Sequence, residues 1–352
     1  MSTDGPQDPA RPQPDARIPY KSISDHDIHL EVYLPTSEQV SAAGTGSSSK
    51  GLPVFLWLHG GGWFDGAASD WSHPILFSVL ARGWAFVAVD YRLVPQVTLQ
   101  DCVQDVKDAC QFVRSGSLNE KLGRAKLDGE RLALTGSSAG KSYSRESAAS
   151  ILIAVFGASA GAALAIFASY TMSPPPKVVY SLYGGSDLSF PSFHSTVAFP
   201  SGHIPESEVS SHLSPTGPVV SHSPAQVDFS TLVAQGRTRA CFWALQEGKA
   251  IELSVPGLEK GAEDPLLDPF IASKLVTPTT PPTVLVHGTA DLMVPFAISE
   301  KLFNTLRANG IDTELLQQDG ANHGFDMIPG VWGDKEKMKV FEQANDFVAR
   351  YI

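Results

Sequence analysis

Cysteine is scarce. Of 352 residues only Cys102, Cys110 and Cys241 are cysteines, too few and too scattered for a disulfide framework or a zinc site. Positive charge is also in deficit. Twenty-six Lys and Arg stand against 37 Asp and Glu, a net charge of −11, which argues against nucleic acid as a partner, because polyanions reward clustered cations. Residues 1–17 hold four prolines and almost nothing apolar. They read as a disordered tail without the apolar core of a secretory signal. Apolar content, by contrast, is ample at 43%, enough to fill a large core. The counts fit a soluble, cytoplasmic globular enzyme. One stretch disturbs that picture: Ala148 to Tyr170 runs for 23 residues without a charge, where roughly 20 suffice to cross a bilayer. Its Gly157-xxx-Gly161 spacing adds to a membrane reading.

Along the chain, continuous apolar runs alternate with helical patterns. Ile28–Leu34 alternates like a half-buried strand, whereas Pro53–Leu58, Trp84–Val89, Leu132–Leu134, Val178–Tyr183 and Thr283–Val286 suit strands buried on both faces. Thr313–Gln317 is the last expected strand. Val103–Arg114, Ile298–Asn309 and Lys335–Tyr351 carry helical spacing. Thr36–Lys50, rich in Ser, Gly and Ala, reads as a surface loop. The alternation predicts an α/β fold, a mainly parallel sheet with helices on both faces. Structure is expected over 18–352 as one domain. Within it, 188–280 breaks the regularity and is expected to form a cap or lid, with one helical patch at Leu232–Gln246.

The chemistry-bearing residues follow strand ends. His59-Gly-Gly-Gly-Trp63 comes directly after a strand, and its glycines can present bare amides to a developing oxyanion. Gly-x-Ser-x-Gly occurs twice, centred on Ser138 and on Ser159, the pattern of a serine held on a strand-to-helix turn. His287-Gly-Thr-Ala-Asp291 follows another strand, where an aspartate can orient a histidine. His287 itself is expected to pack locally. Gly320-Ala-Asn-His323 follows the last strand and offers a loop histidine. The bland readings are a glycine turn, a chance pentapeptide, a turn aspartate and a surface histidine. Their joint order of glycines, Ser, Asp and His is far more specific than any one piece.

With these motifs the chain resembles the hormone-sensitive-lipase-like branch of the α/β-hydrolases, the fold-3 esterase and lipase group, and particularly its fungal members. The likeness extends over Val89-Asp-Tyr-Arg-Leu-Val-Pro95, Asp128–Gly140 and Asn322-His-Gly-Phe325 as well, and covers about residues 20–350. It implies an α/β-hydrolase fold and cleavage of a small or medium carboxylic ester, with no cofactor and no metal. It also implies Asp291 and His323 as partners of the nucleophilic serine. Gly60, Gly61 and the residue after the nucleophile, Ala139 or Ala160, would be the oxyanion donors. Asp90 to Arg92 would support the top of the sheet.

The two serine motifs disagree. Ser138 lies 48 residues after Asp90, a run that suits one helix, whereas Ser159 lies 69 after it. Downstream the order reverses: Ser159 precedes Tyr183 by 24 residues and Ser138 precedes it by 45. Removing Lys141–Gly161, 21 residues, repairs both spacings. These residues read as an insert, a retained intron translated in frame, since Gly140-Lys-Ser142 and Ala160-Gly161 can be encoded by splice-like bases. Two foldings compete. Either Leu132–Thr135 is the elbow strand with Ser138 as nucleophile, or Ile151–Phe156 is that strand with Ser159; the upstream half favours Ser138. An insert at this point also admits an impaired, non-catalytic binding protein on a hydrolase scaffold. A membrane span is disfavoured, because Asp291 and His323 must share a sheet with the upstream glycines.

Overall fold

The computed structural model describes residues 10–45, 51–123, 125–137, 160–199, 202–224, 227–228, 233–328 and 330–352. Eight strands form one sheet: β1 (Ala16–Ile23), β2 (His26–Tyr33), β3 (Leu52–Leu58), β4 (Ala85–Val89), β5 (Leu127–Gly136), β6 (Val178–Leu182), β7 (Thr283–Gly288) and β8 (Thr313–Gln318). Their spatial order is β1-β2-β4-β3-β5-β6-β7-β8. The β1–β2 and β2–β4 pairs are antiparallel and all the others parallel. With helices on both faces, this is the α/β-hydrolase fold.

Burial explains why the central strands read as unbroken apolar runs. On β3, Val54, Leu56 and Leu58 enter one core with α3 (Leu99–Arg114), α5 (Ala160–Thr171) and α8 (Phe296–Ala308), while Phe55 and Trp57 enter the other with α2 (His73–Ala81) and α9 (Lys335–Ala349). Each fully buried Leu, Ile or Phe contributes roughly 1.5–3 kcal/mol. The helix α5 is apolar all round, and every residue from Ala160 to Tyr170 is buried. It lies against β5 and β6 on one side, while Phe167 meets Phe270 edge-on at 5.6 Å on another. The apolar stretch that ends at Tyr170 therefore finishes as a 12-residue core helix. Among the described residues no helix is long and apolar enough to cross a membrane.

Two expectations are corrected. Within Thr36–Lys50, Ser37–Ala43 forms helix α1, opened by a reciprocal Thr36–Gln39 capping box and closed by Gly44 in the left-handed region. The expected tail is described from Ala10 and is tied down from Arg11, whose guanidinium donates to the Ser69 and Trp71 carbonyls and stacks on Trp71; β1 starts at Ala16. The slot between β3 and β6 is filled by residues 132–136, with Leu58 opposite Gly136 and Ala133 opposite Val178. That is the place of the Leu132–Thr135 elbow strand; Ile151–Phe156 lies outside the described residues.

Residues 183–282 join β6 to β7 and contain α6 (Gly236–Gln246) and α7 (Ala250–Ser254); α4 (Ser117–Leu122) lies earlier, between α3 and β5. This connection docks through α6. Arg237 donates to the carbonyls of Phe64 and Val94 and to the Gln96 side chain. A bridge between Gly66 and Ser223 adds a second attachment. Within it, Phe199 and Phe242 stack on each other at 5.3 Å.

Candidate active site

Asp291 and His323 meet at the ends of β7 and β8. Asp291 lies in the turn after β7, where the Met293 and Val294 amides donate to its Oδ1, both at 2.8 Å. Its Oδ2 receives His323 Nδ1 at 2.6 Å and His287 Nε2 at 3.2 Å. Burial alone would raise this carboxyl, but the two histidines hold it well below the usual carboxylate range. Because Nδ1–H donates to the carboxylate, the lone pair of His323 is on Nε2, an atom that is buried and has no partner among the described residues. His287 packs locally as expected: Nε2–H is shared between the Val294 carbonyl at 2.9 Å and Asp291, and Nδ1 pairs with the Ser299 hydroxyl at 2.7 Å.

The sequence reading missed four residues that frame this pair. Asn322 Oδ1 accepts from the Leu292 and His323 amides at 3.0 and 2.8 Å, joining the aspartate turn to the histidine loop. Tyr183, at φ 45°, sits with its ring centroid 4.5 Å from that of His323 and donates its hydroxyl to Asp326. Burial raises the Asp326 carboxyl above its ordinary value. The fourth, Ser299, was visible only as a polar residue within a helical pattern. No motif announces Tyr183 or Asp326.

The glycine loop follows β3. Gly61, Gly62 and Trp63 occupy the left-handed region in succession, at φ 98°, 60° and 68°. For Trp63 that conformation costs about 1–3 kcal/mol. It is held by the indole N–H donating to the Ala160 carbonyl at 3.2 Å and by the Val94 amide donating to its own carbonyl at 2.9 Å. His59 stacks on Tyr91 at 4.2 Å, and its Nδ1 bonds the Gly60 carbonyl at 2.8 Å. Burial lowers the His59 imidazole to about 4, so it is neutral at neutral pH and donates that bond. Asp65 closes the loop, its amide reaching the Gly61 carbonyl at 3.1 Å. Burial pushes the Asp65 carboxyl up to about 7 despite the hydroxyl of Thr238, which donates to it from α6. None of the hydrogen bonds among the described residues uses the Gly60 or Gly61 amide.

The strand-to-helix junction lies beside this loop. Ser138, Ala139 and Ser159 lie outside the described residues, as does the expected insert apart from Ala160 and Gly161. The residues flanking them are placed. Ser137 is buried at the end of β5 with its amide toward the Leu58 carbonyl at 3.3 Å, and Ala160 opens α5. A Cβ on Gly136 would fall 2.2 Å from the Gly161 carbonyl carbon, and one on Gly161 would fall 2.1 Å from the Leu58 oxygen. The first glycine of one pentapeptide thus packs against the last glycine of the other.

The Asp90–Arg92 turn stands apart from this cluster. Asp90 bonds Arg17, His222 and the Ala68 amide, Tyr91 donates to the His59 carbonyl, and Arg92 pairs bidentately with Asp105. Among the described residues no group of three or more His, Cys, Asp or Glu side chains is placed to hold a metal ion.

Comparison with known proteins agrees with this architecture. Residues 42–150 match the BD-FAE family and residues 267–352 the prolyl oligopeptidase family. A protein of unknown function from Staphylococcus aureus superposes with a TM-score of 0.64 at 17% identity, covering 96% of this chain and 99% of that one. A thermophilic esterase from Thermogutta terrifontis, with butyrate bound, gives 0.56 at 19% identity, covering 97% and 95%. An acetyl ester-xyloside bifunctional hydrolase from Caldicellulosiruptor lactoaceticus gives 0.58 at 17% identity, covering 96% and 97%. In sequence, the chain is 25% identical over 92% of its length to the non-reducing polyketide synthase Preu6 of Preussia isomera, and 24% identical over 99% to adrD of Penicillium rubens. It spans 14% of the length of each synthase.

Proposed function

We propose that the chain is a serine hydrolase that cleaves a small or medium carboxylic ester by acyl transfer to water, without a cofactor. The observation that carries this reading is the buried Asp291–His323 pair, together with a glycine loop: neither the His323 Nε2 nor the Gly60 and Gly61 amides have a partner among the described residues. In this scheme His323 Nε2 takes the serine proton as Oγ attacks the carbonyl carbon. The amides of Gly60, Gly61 and the residue after the nucleophile hold the oxyanion, each contributing roughly 3–4 kcal/mol to the transition state. Asp291 stabilises the imidazolium. Collapse expels the alcohol, protonated by His323. A water molecule, deprotonated by the same nitrogen, then attacks the acyl-serine, and the carboxylic acid leaves as the serine recovers its proton.

Two serines compete for the role. Ser138 directly follows the buried strand end Ser137, and the upstream spacing supports it. Ser159 directly precedes Ala160, the buried start of α5 whose carbonyl bonds Trp63, so its following amide would belong to the described helix. The contact of Gly136 with Gly161 leads us to favour Ser159. Deleting 138–158 produces the same sequence as deleting 141–161, with a single Gly-Ser-Ser-Ala-Gly, as a chain without the insert would have. Fluorophosphonate labelling of Ser138→Ala and Ser159→Ala tests the choice: loss of the adduct in Ser159→Ala alone is expected, and loss in Ser138→Ala alone would reverse it. No adduct on folded wild-type protein would favour the impaired binding protein instead. The likeness to polyketide synthases favours a second substrate, an acyl thioester. Comparing a butyryl oxygen ester with a butyryl thioester separates the two.

A further inference from the structure

Beside the glycine loop lies a small chamber with almost no polar wall. Gly62 and Trp63 form its side toward the loop, Leu188 and Phe193 come from the segment after β6, and Cys241 and Leu245 come from α6. Phe193 is seated by a missing side chain, because a Cβ on Gly185 would lie 3.2 Å from its Cζ. Burial holds the Cys241 thiol protonated, so this wall presents no charge. The chamber adjoins the proposed chemistry through residues already placed: Gly62 follows Gly61, and the Trp63 indole bonds the first residue of α5. The same helix that lines the chamber also grips the loop. One turn before Cys241, Thr238 donates to Asp65, whose Oδ1 lies where a Cβ on Gly61 would fall, 2.3 Å away. Arg237 meanwhile donates to the Phe64 carbonyl.

Resting on the hydrolase reading above, we propose that this chamber is the acyl subsite for esters of short, uncharged aliphatic acids, and that α6 couples its filling to the aim of the Gly60 and Gly61 amides through Thr238 and Asp65. Cys241 and Leu245 set the depth, and Thr238 is a positioning residue. An acyl chain that overfills the chamber pushes on α6 and so disturbs the loop, which makes a poor fit cost turnover as well as affinity. A carboxylate-bearing acyl group is rejected because no wall group can pair with it.

The test is a series of p-nitrophenyl esters from acetate to decanoate, with the glutarate monoester as the charged member. Fluorophosphonate labelling is measured alongside. Short esters should exceed decanoate by about tenfold or more in kcat/KM, and the glutarate monoester should fall about a hundredfold below butyrate. Leu245→Ala should move the optimum to longer chains, with Leu245→Val as the milder replacement should alanine unfold the protein. Cys241→Phe should move it to shorter ones. Thr238→Val should lower kcat severalfold for the short esters and little for decanoate, flattening the dependence of kcat on chain length while leaving KM in place. Unchanged profiles in both pocket variants, with labelling intact, would overturn the acyl subsite. A kcat in Thr238→Val that is unchanged, or lowered by one factor at every chain length, would overturn the coupling. Absence of labelling in the wild type would instead overturn the hydrolase reading beneath both.

Discussion

The Asp291–His323 and Asp90–His222 pairs differ in what lies around them. The side chains of Asp291 and His323 are both fully enclosed, and the far nitrogen of the histidine has no partner among the described residues. Asp90 and His222 are joined by the same Nδ1 contact, at 3.2 Å, but the His222 side chain is 40% exposed. Asp90 is also shared with Arg17 at 2.8 Å and with the Ala68 amide at 2.6 Å. The first pair leaves the Nε2 lone pair enclosed. The second spreads its charge over neighbours and fastens the 220–224 segment to the sheet. In the hydrolase reading proposed above, the enclosed Nε2 is what separates the working pair from the structural one.

Substitution should separate the pairs sharply. His323→Ala, measured by ester cleavage, should lower kcat by about 10^4-fold to 10^6-fold, since a lost general base removes the whole acyl-transfer route. Asp291→Asn should cost about 10^4-fold by spoiling the tautomer of His323. Its stability effect should depend on pH. A depressed carboxyl stabilises the fold above the ordinary carboxylate range and loses that contribution as pH falls through its folded value, so the melting difference from wild type should shrink in acid. His222→Ala should leave kcat unchanged and cost under about 1 kcal/mol, because the pair is solvent-screened. The bond to Asp90 raises the His222 value despite partial burial. Its contribution is complete below the ordinary histidine value of about 6.5 and disappears as pH rises through the folded value. Melting curves at acid and alkaline pH check this. A large turnover loss in His222→Ala would collapse the distinction between the pairs.

Much of the fold was legible because its central strands are buried on both faces and so carry unbroken apolar runs. Leu52–Leu58 and Ala85–Val89 fall within a residue of the expected bounds. Helix α1 was obscured because its small polar residues read as loop composition, although the Thr36–Gln39 capping box was present in the sequence. At the site, Asp291 and His323 could be nominated because each follows a strand, and the structure brings them together. Tyr183 and Asp326 could not, because their pairing spans 143 residues. The grip of α6 on the glycine loop is equally non-local: Thr238 and Asp65 are 173 apart, and nothing near either one signals the other.

The meeting of Gly136 with Gly161 has a consequence for how the chain can be divided. The two ends of the junction are held by direct backbone contact and by the β5–β6 ladder, independently of the peptide linkage between them. Residues 10–137 bring β1 to β5, and residues 160–352 bring β6 to β8 with the Asp291–His323 pair. The molecule is thus built as two complementary pieces that share one sheet, with the glycine loop on one piece and the Asp291–His323 pair on the other. Severing it between Ser138 and Ser159 would make the proposed active site a reporter of their reunion.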